Sequence, residues 1–315
     1  MNRHEFLKTL AAGAASIALP RGFFGQQPPN IQTYTYKTVG GCEIKANVLF
    51  ADPKVRKPVL VWIHGGGLLD LSRKQVIGLD PGDYVEISID YRLAPETKLP
   101  GIIQDVQDAF RWIHKEGPKL FNIDVNRLVV GGMSAGGYLT LMSGFCVKPR
   151  PRALFSLSGY GDITTPWYSQ PSPYHLQQPL VSKEEAYASI GTTCLSEPPE
   201  NDQRPKFGLY CRQKGIWPKE VTGHDPATEP KWFDPYCPVR NVTADYPPTM
   251  LMHQVGDPEV PYEESVNMDK ALTSFNVEHR LVTVPGVGHV LTGLTRDERV
   301  GYQAEAMAFL REHSS

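Results

Sequence analysis

Apolar positions along the chain follow two periods that alternate. Short apolar runs at 59–63, 84–89, 128–130, 153–157, 249–252 and 281–284 predict strands. Their near-continuous hydrophobicity predicts burial on both faces, as in a parallel sheet. Between the runs the spacing widens. Ile102, Val106, Ala109, Phe110 and Ile113 share one face of a helix over 101–115. A second helix is predicted over 135–145, and a third from Pro261 with Met268, Leu272 and Phe275 as its inner face. Thr295 and Glu298 form a capping box that opens a last helix, turning Val300, Ala304 and Met307 inward. Ahead of these, residues 33–37 and 43–48 alternate around Gly40-Gly41, the pattern of a hairpin at a sheet edge. Strands and helices in alternation predict an α/β fold with a mostly parallel, doubly wound sheet.

Ser134 lies in Gly132-Met133-Ser134-Ala135-Gly136, directly after one predicted strand and before a helix. Glycines on either side let the backbone reverse sharply, and the elbow holds the hydroxyl out at the end of the sheet. Ser134 is therefore the candidate nucleophile. A hydroxyl attacks poorly near neutral pH. It needs an imidazole to accept its proton, and a carboxylate to fix the tautomer and stabilise the imidazolium. His289 and Asp257 supply those groups, each just beyond a predicted strand. His64-Gly65-Gly66-Gly67 follows the strand at 59–63 and offers bare backbone. The N–H groups of Gly66, Gly67 and Ala135 are the expected donors to an oxyanion, where one well-placed donor lowers the barrier by about 3 kcal/mol. This chemistry calls for no metal and no organic cofactor.

Other polar residues near these loops compete for the same roles. Glu259 stands two positions beyond Asp257 and is expected to point to solvent. His253 lies inside a strand pattern and His279 at a strand start, positions where a histidine is usually a satisfied structural residue. His64 reads as a brace of its own loop. Asp90 and Arg92 are expected to tie together the segment after their strand, with Asp105 bracing the same region.

The chain order Ser, Asp, His separates this arrangement from the chymotrypsin-like and subtilisin-like orders. With these motifs, and with Ser88-Ile89-Asp90-Tyr91-Arg92-Leu93-Ala94-Pro95-Glu96 and Leu99-Pro100 between them, the chain resembles the α/β-hydrolase serine esterases. It is similar to the hormone-sensitive-lipase-like and bacterial feruloyl-esterase-like branches, over residues 55–150 and 235–312. The resemblance implies an α/β-hydrolase fold and oxyanion donors at Gly66 and Gly67. It also implies a carboxylesterase working through an acyl-enzyme on a small or medium ester: acetyl, short acyl or aryl, including carbohydrate-linked ones. In one departure, Gln254 follows His253 where relatives usually carry glycine, and Asp257 is retained. Two other functions fit less well. A prolyl-oligopeptidase-like peptidase uses the same triad but usually carries a large propeller, for which the stretch before Val59 has no room. A non-catalytic binding member is disfavoured because every catalytic position holds the needed residue type.

From about Gly159 to Arg240 the rhythm breaks, with crowded prolines and Trp167, Trp217 and Trp232. This segment, 159–240, is expected to be a cap inserted between the strand after the nucleophile and the strand that leads to Asp257. Ser182 with Glu185 signals one short helix in it and residues 207–213 another, and its aromatic residues either line a substrate pocket or pack a small core of their own.

Composition narrows the partners. The 315 residues, 41% hydrophobic, can bury a full core without disulfides or metal. A net charge of −2 with scattered basic residues argues against nucleic acid and anionic membrane surfaces. The five cysteines lack the paired spacing of a zinc site, and their odd number leaves at least one unpaired. Residues 2–8, including Arg3 and Lys8, precede a mild apolar run at 10–19, so 1–28 reads as an export signal ahead of a catalytic domain over 29–315. The leader resembles a twin-arginine signal with His4 in place of the second arginine, and the general secretory route fits equally. The run falls short of the ~20 residues that span a bilayer. The expected location is periplasmic or secreted, a cytoplasmic protein with a frayed leader being the competing reading.

Overall fold

A two-residue turn sets the edge of the sheet. β1 (Gln32–Val39) and β2 (Cys42–Leu49) pair antiparallel across Gly40 and Gly41, whose φ values of 54° and 81° are those a tight hairpin demands and most side chains resist. The computed structural model describes residues 31–75, 82–199 and 202–315, so the expected leader, 1–28, lies outside the described residues. Residues Ile31–Ser315 form one unit.

β3 (Lys57–Ile63), β4 (Val85–Ile89), β5 (Ile123–Met133), β6 (Leu154–Leu157), β7 (Thr249–Gln254) and β8 (His279–Val284) complete an eight-stranded sheet of order β1-β2-β4-β3-β5-β6-β7-β8. β2 meets β4 antiparallel, and every pairing from β4 to β8 is parallel. The central strands are buried on both faces. Val59, Val61 and Ile63 join one apolar core, while Leu60 and Trp62 join the other. α1 (Leu99–Phe121), α2 (Ala135–Cys146) and α7 (Glu263–Ser274) feed the first core through Phe110, Leu139 and Met268. α8 (Arg296–Ser314) covers the second through Met307, Phe309 and Leu310. The chain therefore has the α/β-hydrolase fold, a doubly wound and mostly parallel sheet.

Two predicted inner faces shift. Phe275 is the C-terminal cap of α7 and is 46% exposed. In α8 the capping box of Thr295 and Glu298 forms as expected, but Val300 and Ala304 are exposed and the buried set is Ala306, Met307, Phe309 and Leu310. Tyr302 of the first turns packs against the second core, so the inner face runs through Tyr302 and Ala306 and not through Val300 and Ala304.

Residues 159–240 lie between β6 and β7 and, among the described residues, carry four short α-helices, α3 (Pro166–Ser169), α4 (Lys183–Tyr187), α5 (Arg204–Lys214) and α6 (Trp217–Thr222). The Ser182–Glu185 capping box is made in both directions. The insertion is fastened by a buried ion pair. Arg204 donates to both carboxylate oxygens of Glu96 at 2.9 and 2.8 Å, with neither side chain exposed. Its aromatic residues form a stack: Trp167 lies on Tyr168 at 3.6 Å and Tyr168 on Trp217 at 3.9 Å between centroids.

Candidate active site

The parallel register brings the carboxyl ends of β3, β5, β6, β7 and β8 to one edge. Ile63 is level with Gly132, Met133 with Leu157, Leu157 with Met252, and Gln254 with Val284. Each predicted chemical group follows one of these ends, the usual place for a site in such sheets.

Ser134 is the first residue past β5 and sits at φ 54°, ψ −122°, a region in which a non-glycine residue stores roughly 1–3 kcal/mol of strain. The turn is held by contacts that only glycine allows. A Cβ on Gly132 would meet Gly136 O at 2.3 Å, and one on Gly136 would meet Ile63 O at 2.0 Å. The Ser134 N–H donates to Leu157 O at 2.8 Å, locking the elbow to β6. Its side chain is half-buried at the start of α2.

The glycine loop after β3 lies against this elbow. A Cβ on Gly65 would stand 3.3 Å from Ser134 Cβ. Gly66 and Gly67 have φ of 91° and 62°, and a Cβ on Gly66 would strike Asp70 O at 2.0 Å. The N–H of Gly65 donates to Gln75 Oε1 at 2.7 Å. The N–H groups of Gly66, Gly67 and Ala135 have no acceptor among the described residues. His64 is fully buried and stacks on Tyr91 at 4.2 Å, and burial pushes its imidazole down to about 3. The Tyr91 hydroxyl donates to the carbonyls of His64 and Gly65 at 3.0 and 2.9 Å. His64 braces its loop, as expected.

Asp257 and His289 meet. His289 Nδ1 donates to Asp257 Oδ2 at 2.7 Å, which leaves Nε2 as the accepting nitrogen. Asp257 Oδ1 accepts from the N–H groups of Glu259 and Val260 at 2.9 and 3.0 Å. Burial alone would raise this carboxyl, but hydrogen bonds from His253 and His289 hold it well below the usual carboxylate range. The loop that carries His289 is itself strained, since Val290 and Leu291 have φ of 49° and 66°. It is pinned to the strand ends through Val290 N–H to Ser158 Oγ at 3.3 Å. Gln254, at the position of the departure from relatives, donates from Nε2 to Thr292 O at 3.1 Å and so holds the same loop. In this structure Ser134 Oγ and His289 Nε2 make no hydrogen bond among the described residues, to each other or to any neighbour. The carboxylate–imidazole half of the set is made and the hydroxyl–imidazole half is open.

His253 has more to do than its place in a strand suggested. It is fully buried, and its Nε2 lies 3.3 Å from Asp257 Oδ2 and 3.0 Å from Val260 O. A carboxylate and a carbonyl only accept, so Nε2 carries the proton, and Nδ1 accepts from the Ser265 hydroxyl at 2.7 Å. Asp257 thus receives a donor from each of two imidazoles. A histidine four positions before the acid, at the end of a buried strand, was the available signal. Glu259 is partly exposed, and its carboxylate also lies 3.0 Å from His175 Nε2 of the insertion. Arg92 pairs with Asp105 through two bonds of 2.7 and 2.8 Å, whereas Asp90 pairs with Arg73, because the segment around 73 folds back over β4. The insertion reaches the glycine loop: Trp217 Nε1 donates to Gly67 O at 2.8 Å.

Comparison with known proteins agrees with this frame. Residues 49–153, with the glycine loop and the elbow, match the BD-FAE family, and residues 210–315, with Asp257 and His289, match the prolyl oligopeptidase family. A solved protein of unknown function from Staphylococcus aureus superposes with a TM-score of 0.72 at 23% identity, over 90% of this chain and 100% of its own. An α/β-hydrolase superfamily protein from Enterococcus faecalis gives 0.68 at 20%, over 90% and 98%. A thermophilic esterase from Thermogutta terrifontis gives 0.61 at 19%, over 90% and 91%. Among curated proteins, a non-reducing polyketide synthase of Aspergillus calidoustus is 26% identical over 91% of this chain, and the match spans 14% of the synthase. These likenesses show the α/β-hydrolase fold, with each family match spanning about a third of the chain.

Proposed function

We propose that this protein is a serine carboxylic-ester hydrolase, with Ser134 as nucleophile, His289 as base and Asp257 as the group that orients it. The observation that carries the reading is the 2.7 Å Asp257–His289 bond at the sheet edge where the Ser134 elbow also ends. The imidazole takes the Ser134 proton as the oxygen attacks the ester carbonyl, forming a tetrahedral adduct. The N–H groups of Gly66, Gly67 and Ala135 receive the oxyanion. His289 returns the proton to the leaving alcohol, giving an acyl-enzyme, and then activates water to hydrolyse it. Small or medium esters are the proposed substrates: acetyl, short acyl or aryl, free or linked to carbohydrate. We further propose that residues 1–28 direct export.

The test is a series of p-nitrophenyl esters of increasing chain length, run beside acetyl-xylan and methyl ferulate, on the wild type and on Ser134→Ala. The expected result is turnover by the wild type and a loss on the order of a million-fold in the variant. Esterase activity that survives the substitution overturns the assignment. The match of residues 210–315 to the prolyl oligopeptidase family favours a second reading, a peptidase on the same triad. Hydrolysis of aminoacyl p-nitroanilides faster than of esters would select it.

A further inference from the structure

Away from the catalytic edge, two thiols lie together. Cys42 is the first residue of β2 and the ladder partner of Val39. Cys194 arrives from the distant 159–240 insertion, and its Sγ lies 3.5 Å from the Val39 carbonyl oxygen. Both thiols therefore lie at the same end of the hairpin and line the same pocket. Burial, with the neighbouring Cys194 thiol, pushes the Cys42 thiol up to about 11. The chain on the far side of Cys194 is held against the sheet: Leu93 N–H donates to Leu195 O at 2.9 Å, and Ser196 Oγ donates to Glu43 O at 2.8 Å. Glu197 continues the attachment with an ion pair to Arg73 at 2.7 Å. Both cysteines are partly exposed and line an open pocket of about 510 Å³ with Lys45 and Lys74, a path for a small oxidant. Cys211 and Cys237 are fully buried.

We propose that Cys42 and Cys194 are a redox pair, closing to a disulfide that staples the insertion to the edge hairpin. The oxidant is a small disulfide such as oxidised glutathione. One protein thiolate attacks a glutathione sulfur, forming a mixed disulfide and releasing one glutathione thiolate. The second protein thiolate then attacks the protein sulfur of that mixed disulfide and releases the other. The two cysteine protons end on two molecules of reduced glutathione, so the protein is oxidised by two electrons and one glutathione disulfide is reduced. Because the Cys42 thiol is pushed up, the exchange runs faster at pH 8.5 than at pH 7. The staple is independent of the ester-hydrolase reading, since it uses no group of that site.

The experiment incubates the full chain with oxidised glutathione or with dithiothreitol, then maps peptides without reduction and titrates thiols in denaturant. The expected result is a Cys42–Cys194 peptide and a thiol count two below the five of the reduced chain. The oxidised form should melt higher by roughly 5 °C or more, because the bond closes a long loop. Cys42→Ser and Cys194→Ser, made separately, should each lose both the linked peptide and the shift in melting. Stable glutathione adducts on Cys42 or Cys194 with no linkage between them overturn the proposal, and so does a linkage that uses Cys146, Cys211 or Cys237. Esterase assays on both forms report separately on the active site.

Discussion

At the scale of single residues, the site is shaped by how buried polar atoms are satisfied. Asp257 accepts two backbone N–H groups and two imidazoles, so its charge is fixed in place before any substrate arrives. Under the proposed mechanism His253 acts through Asp257 as a positioning residue. His253→Leu removes one donor, and kcat on a p-nitrophenyl ester is expected to fall about 10-fold with KM little changed, in line with the loss of a supporting hydrogen bond. Equal kcat in wild type and variant would remove His253 from this role. Glu264 is the converse case. Its carboxyl is buried, accepting from Asp162 N–H at 3.1 Å, Thr165 Oγ1 at 2.9 Å and Trp167 Nε1 at 3.1 Å, and burial pushes it up to about 7. A raised carboxyl favours the folded state most below its unfolded value, and this advantage is lost as pH rises through about 7. Between pH 5 and 8 the wild type should therefore lose about 2 kcal/mol relative to Glu264→Gln, which cannot titrate. Urea unfolding of both proteins at the two pH values measures it, and a constant difference would contradict the assigned ionisation.

At the scale of elements, strands and motifs were legible in the chain and long-range pairings were not. The elbow could be read because a Cβ on Gly136 or Gly132 would stand only 2.0 or 2.3 Å from a backbone oxygen of β3 or of the motif itself, so both glycines are required at a fixed spacing. The hairpin could be read because both turn residues need positive φ. By contrast, Arg204 and Glu96 are 108 residues apart and Glu259 and His175 also meet across the insertion, so no local period announces either pair. The inner face of α8 differs from the expected one because its first turns offer two apolar faces, Val300 with Ala304 and Tyr302 with Ala306, and only packing against the sheet selects the second. The Arg204–Glu96 pair makes a direct prediction. Arg204→Met strands a carboxylate in a fully buried place and should destabilise the protein by about 3–5 kcal/mol, read in urea unfolding. Adding Glu96→Leu should recover most of that loss, whereas a single variant within 1 kcal/mol of wild type, roughly the worth of a surface pair, would show that the pair is not what fastens the insertion.

At the scale of the molecule, a doubly wound sheet turns sequence separation into proximity. Strands β3, β5, β7 and β8 deliver a glycine loop, a serine, an acid and an imidazole to one edge, and β6 links the last to the serine through Leu157 and Ser158. The chain order of these groups points to the same fold as the strand order, because few folds bring a serine, an acid and a histidine together in that sequence. What the sequence concealed is how the 159–240 insertion reaches back, through Trp217, to the carbonyl of Gly67. That contact puts an aromatic stack beside the glycine loop, and under the proposed function it makes the insertion the part of the fold where selection among esters is expected. The open Ser134–His289 link fits a resting enzyme, in which such bonds commonly close only around substrate.

The most direct test is chemical. A fluorophosphonate reacts with a serine only when a neighbouring base and an oxyanion site activate it, so peptide mapping after labelling reads the whole arrangement at once. Wild-type protein should carry one adduct, on Ser134, and labelling should fall by at least about 100-fold in His289→Ala. An unlabelled Ser134 in folded protein, or equal labelling without His289, would contradict the account.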